Sequence, residues 1–281
     1  METAYDIVEQ LDHGIVRILA RNPSAYTYTG TQTYLVGQDE IAVIDPGPDL
    51  KEHIEEIISA VGQRRLAAIL CTHTHRDHSP ASRELSKRTG ALIIGCAPLV
   101  LDSAGPRADA SFDPDYAPNR ILEDGESILV DGDPITAVAT PGHTSNHLCF
   151  SYRDALFTGD HVMGWSTTVV SPPDGDMADY IASLEKLLRR DDRIYHSAHG
   201  APVSDPHGYV RWLLEHRRER ERQILAAIEK EPFSVEAIVR IVYPDLDPRL
   251  LSAAGGSVLA HLLDLQRQGV VELQGEQWKI A

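Results

Sequence analysis

The stretch CTHTHRDHSP, residues 71–80, places three histidines and an aspartate within six consecutive positions, His73 to His78. Imidazoles this close repel one another when protonated, and if buried they leave ring nitrogens to satisfy. Folding alone gives little reason to accept such crowding, whereas a bound cation gives a direct one. In an extended loop, side chains two apart share a face. His73, His75 and Asp77 therefore project together, with His78 turned toward a second position. Imidazole and carboxylate suit zinc and similar divalent metals, while calcium and magnesium call for more oxygen. A single tetrahedral catalytic site needs three protein ligands and an open position, so four candidates in one loop point to two metals.

Further ligand types stand at the ends of other apolar runs. His143 sits in TPGHTS after ITAVA, Asp160 in FTGDH, and His199 in SAHG after RIY. Any one alone reads as a hydrogen-bonded structural residue. Their joint occurrence with the histidine cluster reads as a metal centre.

The rest of the chain bounds the reading. Its 281 residues suffice for one large core and a small additional module. The content of 42% hydrophobic and 24% charged residues is that of a globular protein, which argues against wholesale disorder. The formal charge is −16, and from Arg211 onward 10 Lys and Arg meet 11 Asp and Glu, so residues 1–210 carry −15. Such a surface repels polyanions at long range. METAYDIVEQ lacks the basic and apolar regions of a signal peptide, and ALIIGCAPLVL is too short and interrupted to span a membrane. Cys71, Cys96 and Cys149 are few and scattered, which argues against a disulfide scaffold and for a reducing cytoplasm.

Short β-branched segments at 14–20, 31–37, 41–47 and 66–72 read as strands, the last delivering the histidine loop at its carboxyl end. A helix is expected near 50–62 and another after Ser79, with Ser79 or a neighbour as its cap. Strands recur at 135–140, 147–152 and 155–160, followed by a helix near 177–190. Composition shifts after about residue 208. EHRRERERQ (215–223) has no apolar residue and reads as an exposed, solvated helical face. Helices near 223–230, 234–243 and 248–268, with Asp247-Pro248 as a start and Gly269 as a stop, precede a hairpin at 270–281. Three helices and a hairpin describe a winged-helix module. The expected division is a catalytic domain over 1–208 and a winged-helix module over 209–281.

HTHRDH, TPGHT, TGD and AHG, in this order, resemble the motif series of the metallo-β-lactamase superfamily, over residues 22–200 or so. The resemblance implies an α/β fold, an αββα sandwich with metals at one sheet edge. It implies His73, His75 and His143 as ligands of one metal, Asp77, His78 and His199 as ligands of a second, and Asp160 bridging both. Asp77 and Asp160 are the catalytic candidates. NPSAYTYTGTQTYLVG, GDHVMGWSTTVV and the winged-helix tail further resemble the subgroup of the β-lactamase-like endoribonuclease and hydroxyacylglutathione hydrolase-like proteins. Asp45, in VIDPG, resembles the family's acid that orients a metal-binding histidine, with a turn-forming aspartate as the alternative. Thr167 and Thr168 either line the pocket or serve β-propensity. His161 and His147 read better as core histidines, and Cys71 as a small buried hydrophobe.

Two divalent cations, most readily Zn2+, with Mn2+ or Fe2+ also compatible, would lower the pKa of bound water and polarise a carbonyl or phosphoryl oxygen. The expected function is that of a dinuclear zinc hydrolase using a metal-bound hydroxide on a small ester, thioester or related acyl substrate. The alternatives are a phosphodiesterase acting on single-stranded RNA, a β-lactam hydrolase, and a winged-helix DNA-binding regulator. RNA is disfavoured by the acidic charge. The lactamases usually carry cysteine or serine in place of Asp160. A DNA-reading helix over 248–268 would offer only Arg249 and Arg267. No membrane partner is expected; the C-terminal module is expected to cap the active-site rim or to mediate a homodimer.

Overall fold

Two sheets face each other across the largest apolar core of the computed structural model, which describes residue 5, residues 7–100 and residues 112–281. The first sheet runs in chain order: β1 (Glu9–Gln10), β2 (Ile15–Leu19), β3 (Gln32–Val36), β4 (Glu40–Ile44), β5 (Arg65–Cys71), β6 (Leu92–Gly95) and β7 (Arg120–Ile121). Strands β1 to β4 pair antiparallel and β4 to β7 parallel. Parallel neighbours need crossovers. Helices α1 (Lys51–Val61) and α2 (Ala81–Thr89) supply two of them and cover one face of the sheet.

The second sheet contains β8 (Ser127–Val130), β9 (Asp133–Ala139), β10 (Leu148–Tyr152), β11 (Ala155–Gly159) and β12 (Ile194–Ser197), with only β11 and β12 parallel. Alternation along its strands separates two cores. Leu148, Phe150 and Tyr152 of β10 join the core between the sheets, whereas Cys149 joins Met177, Tyr180 and Leu184 of α3 (Met177–Leu187). The result is an αββα sandwich.

Helix α4 (Pro206–Ile228) begins where Asp205 accepts a hydrogen bond from the Gly208 amide at 3.0 Å, with Pro206 at its first position. Its buried stripe is Val210, Leu213, Leu214, Arg217, Ile224 and Ile228. The amino-terminal part packs into the α3 core. The carboxyl-terminal part joins α5 (Val235–Val242), α6 (Leu251–Arg267) and the hairpin β13 (Val271–Gln274) and β14 (Gln277–Ile280) around a third core. This is a winged helix, and α6 packs against α3, with Arg267 donating to Asp176. One helix thus crosses residue 208, and the segment expected at 223–230 is its end.

Two local expectations change and a third is narrowed. The run 215–223 is not wholly solvated: Arg217 is 2% exposed, because the helical stripe set by Val210, Leu213 and Leu214 continues through it. The helix expected to start at Pro248 opens with a 3-10 turn, Pro248–Leu250, before α6. Of the two expected caps for α2, the neighbour Pro80 takes the position, without a side-chain hydrogen bond, while Ser79 donates to Asp113 at 3.0 Å. The short strands β1, β6, β7 and β8 had no counterpart in the sequence reading, since two to four residues show little alternation.

Candidate metal centre

The histidine loop leaves β5 at Cys71, and its first residue is fastened to the end of β4. Thr72 donates its backbone N–H to Asp45 Oδ1 and its hydroxyl to Asp45 Oδ2, both at 2.8 Å. A turn follows, with the amides of His78 and Ser79 donating to the His75 carbonyl at 3.0 and 3.2 Å. His143, Asp160 and His199 follow the carboxyl ends of β9, β11 and β12. Gly159, with φ +49°, brings the Asp160 loop against this one: a Cβ there would lie 2.7 Å from both Thr72 Oγ1 and His147 Nε2.

All seven residues singled out by sequence come together, in two groups whose ligand-type atoms lie within 4.8 Å of one another. His73, His75 and His143 form the first, with His75 Nδ1 lying 3.0 Å from His73 Nε2 and 3.1 Å from His143 Nε2. Asp77, His78, Asp160 and His199 form the second. His199 Nε2 lies 3.2 Å from both Asp77 Oδ2 and Asp160 Oδ1, and His78 Nε2 lies 3.4 Å from each of the same atoms. Asp160 turns its other oxygen, Oδ2, toward the first group, 3.7 Å from His143 Nε2.

The far side of each ring is also held. His143 Nδ1 lies 2.6 Å from the Val169 carbonyl and His199 Nδ1 3.2 Å from the Gly30 carbonyl. A carbonyl only accepts, so both rings carry a proton on Nδ1 and turn Nε2 inward. His78 Nδ1 lies 3.0 Å from Asp45 Oδ2 and His73 Nδ1 3.0 Å from Thr72 Oγ1. Asp45 therefore both turns the chain, with φ +48°, and holds a histidine.

Burial opposes charge throughout the cluster. It holds His73 well below the usual imidazole value, helped by its histidine neighbours. In the second group the carboxylates overcome burial: Asp160 and Asp77 hold His199 up to about 10 and keep His78 well above its ordinary value. The same contacts hold both carboxyls far below the carboxylate range. His78 Nε2, His199 Nε2 and Asp160 Oδ1 are buried, with the 3.2–3.4 Å contacts within this group as their polar neighbours. Five imidazoles and two carboxylates brought together in this way form a donor set that fits divalent cations of the zinc type.

His75, Asp77, His143 and Asp160 line a cavity of about 400 Å³ with mainly apolar walls. Thr167 and Thr168 line it too, alongside Met163, Trp165 and Val169. Ser24, Ala25, Tyr26 and Thr27 form another part of the wall, α4 adds Arg217 and Arg220, and the winged helix adds Tyr243, Leu250 and Ala254. None of these last residues carries a local signal; only the helical phase of α4 could have pointed to the two arginines. Asp174, whose Oδ2 is 3.7 Å from His75 Nε2, was also missed, because an aspartate before glycine reads as a turn. His161 is buried beside Tyr180 and does not line the cavity, and burial pushes it down to about 3. His147 lies 2.9 Å from Thr140 Oγ1 and accepts from the Asp160 amide at 3.3 Å. Cys71 is buried.

Residues 26–199 match the family described as the metallo-beta-lactamase superfamily, and residues 234–278 match the beta-lactamase associated winged helix domain. The chain belongs to the metallo-β-lactamase superfamily and is a metal-dependent hydrolase. It is 31% identical over 231 residues to an atrochrysone carboxyl ACP thioesterase of Cryptosporiopsis sp., a match covering 79% of this chain and 65% of that longer protein. It is 29% identical over 277 residues to the Drosophila melanogaster beta-lactamase-like protein 2 homolog, covering 93% and 91%. A beta-lactamase domain protein from Burkholderia ambifaria shares the fold with a TM-score of 0.83 at 19% identity, covering 100% of this chain and 96% of that one. No helix among the described residues is long and apolar enough to cross a membrane.

Proposed function

We propose that the chain hydrolyses small acyl thioesters and related esters in the cytoplasm, with two zinc ions as cofactors. His73, His75 and His143 would hold one ion, Asp77, His78 and His199 the other, with Asp160 shared. The observation that carries this reading is the mainly apolar cavity of about 400 Å³ that opens directly on Asp77 and Asp160. A volume of this order suits a small molecule, and a similar protein named as an acyl-carrier thioesterase supports the acyl class.

When bound, the cations would supply an ionised water at neutral pH and polarise the acyl oxygen. The chain's own residues do the rest. Asp77, at the cavity edge, accepts a hydrogen bond from the attacking water and aims it. The apolar walls hold the acyl group and exclude competing water. A thiol leaving group ionises near pH 8.5, so its departure needs little proton assistance. The module over 209–281 is proposed to complete the acyl pocket, and 1–208 to carry the metals. A second reading, cleavage of single-stranded RNA, draws on Arg217 and Arg220 in the same wall; the −15 carried by residues 1–210 weighs against it.

The test compares zinc-reconstituted protein on a panel of N-acetylcysteamine thioesters and on a single-stranded RNA oligomer. Thioester turnover that disappears on chelation and returns with zinc supports the reading. RNA cleavage without thioester turnover would replace it.

A further inference from the structure

Two arginines stand in the cavity wall without a carboxylate. Arg217 and Arg220 lie three residues apart on α4, and both line the cavity that His75, Asp77, His143 and Asp160 also line. Arg217 is 2% exposed, donates through Nη2 to the Thr168 carbonyl, and lies 5.0 Å from the Tyr180 ring centroid. Arg220 lies 4.5 Å over Tyr243 and donates through Nη1 to Gln223 at 2.6 Å. The Nε atoms of both are buried and make no hydrogen bond, and the same holds for the indole Nε1 of Trp165 in the same wall. Among the described residues no carboxylate lies within 4.0 Å of either guanidinium. Arg222, on the solvent side of the same helix, is paired with Glu215 and Glu219 at 2.7 and 2.6 Å.

A buried cation without a counter-ion is unfavourable, and aromatic faces offset only part of that. Three buried donors on one cavity are also more than a native interior usually leaves unmet. The planar guanidinium matches a carboxylate in two parallel hydrogen bonds. The mainly apolar walls of the cavity that these donors share with His75, Asp77, His143 and Asp160 suit a hydrocarbon or aromatic body, not a run of phosphates. We propose that Arg217 and Arg220, with Trp165 Nε1–H, form a carboxylate-binding subsite, so that the preferred substrate is a thioester whose apolar acyl group bears a second, distal carboxylate. This rests on the thioester reading above.

The test uses the zinc-loaded full chain and two probes: an N-acetylcysteamine thioester of an aryl-alkanoic acid bearing a distal carboxylate, and its methyl ester. Wild type should favour the acid at least tenfold in kcat/KM, mainly through KM. Arg220→Gln should bring that ratio close to one, Arg220→Lys should restore part of it, and Trp165→Phe should lower it about threefold. Arg249→Gln, outside the cavity and paired with Asp247, should leave the ratio unchanged. Calorimetry with the non-hydrolysable amides of both probes gives a readout independent of turnover. If no thioester is hydrolysed yet the carboxylate amide binds at least tenfold tighter than its methyl ester, and Arg220→Gln abolishes the difference, the subsite stands and the thioester reading falls. If neither turnover nor binding distinguishes acid from ester, the subsite is overturned. It is equally overturned if Arg249→Gln changes the ratio as much as Arg220→Gln, or if the pair binds only an RNA oligomer. Should Arg220→Gln not fold, Arg220→Lys and Trp165→Phe decide the matter by the same ratios.

Discussion

Asp45 Oδ2 lies 3.0 Å from His78 Nδ1, and the same carboxylate receives both the amide and the hydroxyl of Thr72. Residues 33 positions apart are thus locked so that His78 Nε2 faces Asp77 and Asp160. Substituting Asp45→Asn tests this lock. With its oxygen kept on the Thr72 amide, the new NH2 meets His78 Nδ1, which must then accept and shift its proton to Nε2. Metal affinity should fall about 10- to 100-fold at one of two sites. Titration against a chromophoric chelator reads it, and two unaltered affinities would reject the role.

Asp160 offers one oxygen to each histidine group. Asp160→Ala should reduce metal content from about two ions per chain to one or fewer and lower turnover by more than about 100-fold, beyond the loss of an outer partner. Elemental analysis beside kinetics measures both. Retention of two ions and full rate would remove Asp160 from the shared position.

Gly159 allows the close approach of the Asp160 loop to Thr72 and His147, which a Cβ would meet at 2.7 Å. Gly159→Ala adds a side chain at positive φ in a filled interior, and should cost about 1–3 kcal/mol together with a loss of zinc. Thermal denaturation with and without zinc checks this. An unchanged Tm in both would show that the loop yields freely.

Buried histidines outside the metal cluster set an acid limit on stability. Burial pushes His261 down to about 3 and His53 down to about 4. Unfolded imidazole takes its proton near 6.5. Between about pH 6.5 and these values the unfolded chain therefore binds more protons, so stability declines as pH falls. Each fully buried ring contributes roughly 1.4 kcal/mol per pH unit to that slope. His261→Leu should flatten the pH 6–4 limb of the unfolding free energy by up to one proton relative to wild type. Denaturant titrations across that range test it, and parallel limbs would mean His261 is not the proton acceptor.

The sequence by itself determined the candidate ligand residues and most of the scaffold. Ligand chemistry is carried by a few polar residue types at strand ends, and buried strands of five to seven residues show as short, largely apolar runs, as in β5 and β10. His73, His75, Asp77, His78, His143, Asp160 and His199 were legible for that reason. Tertiary structure alone decided the cavity. Arg217 and Arg220 lie in a run whose composition reads as solvent-facing. Only the packing of α4 between α3 and the winged helix turns them inward. Trp165, Tyr243 and Leu250 line one cavity with His75, Asp77, His143 and Asp160 across long chain separations, and Asp174 approaches His75 the same way. Burial of a polar group depends on what the rest of the chain places beside it, and local composition does not record that.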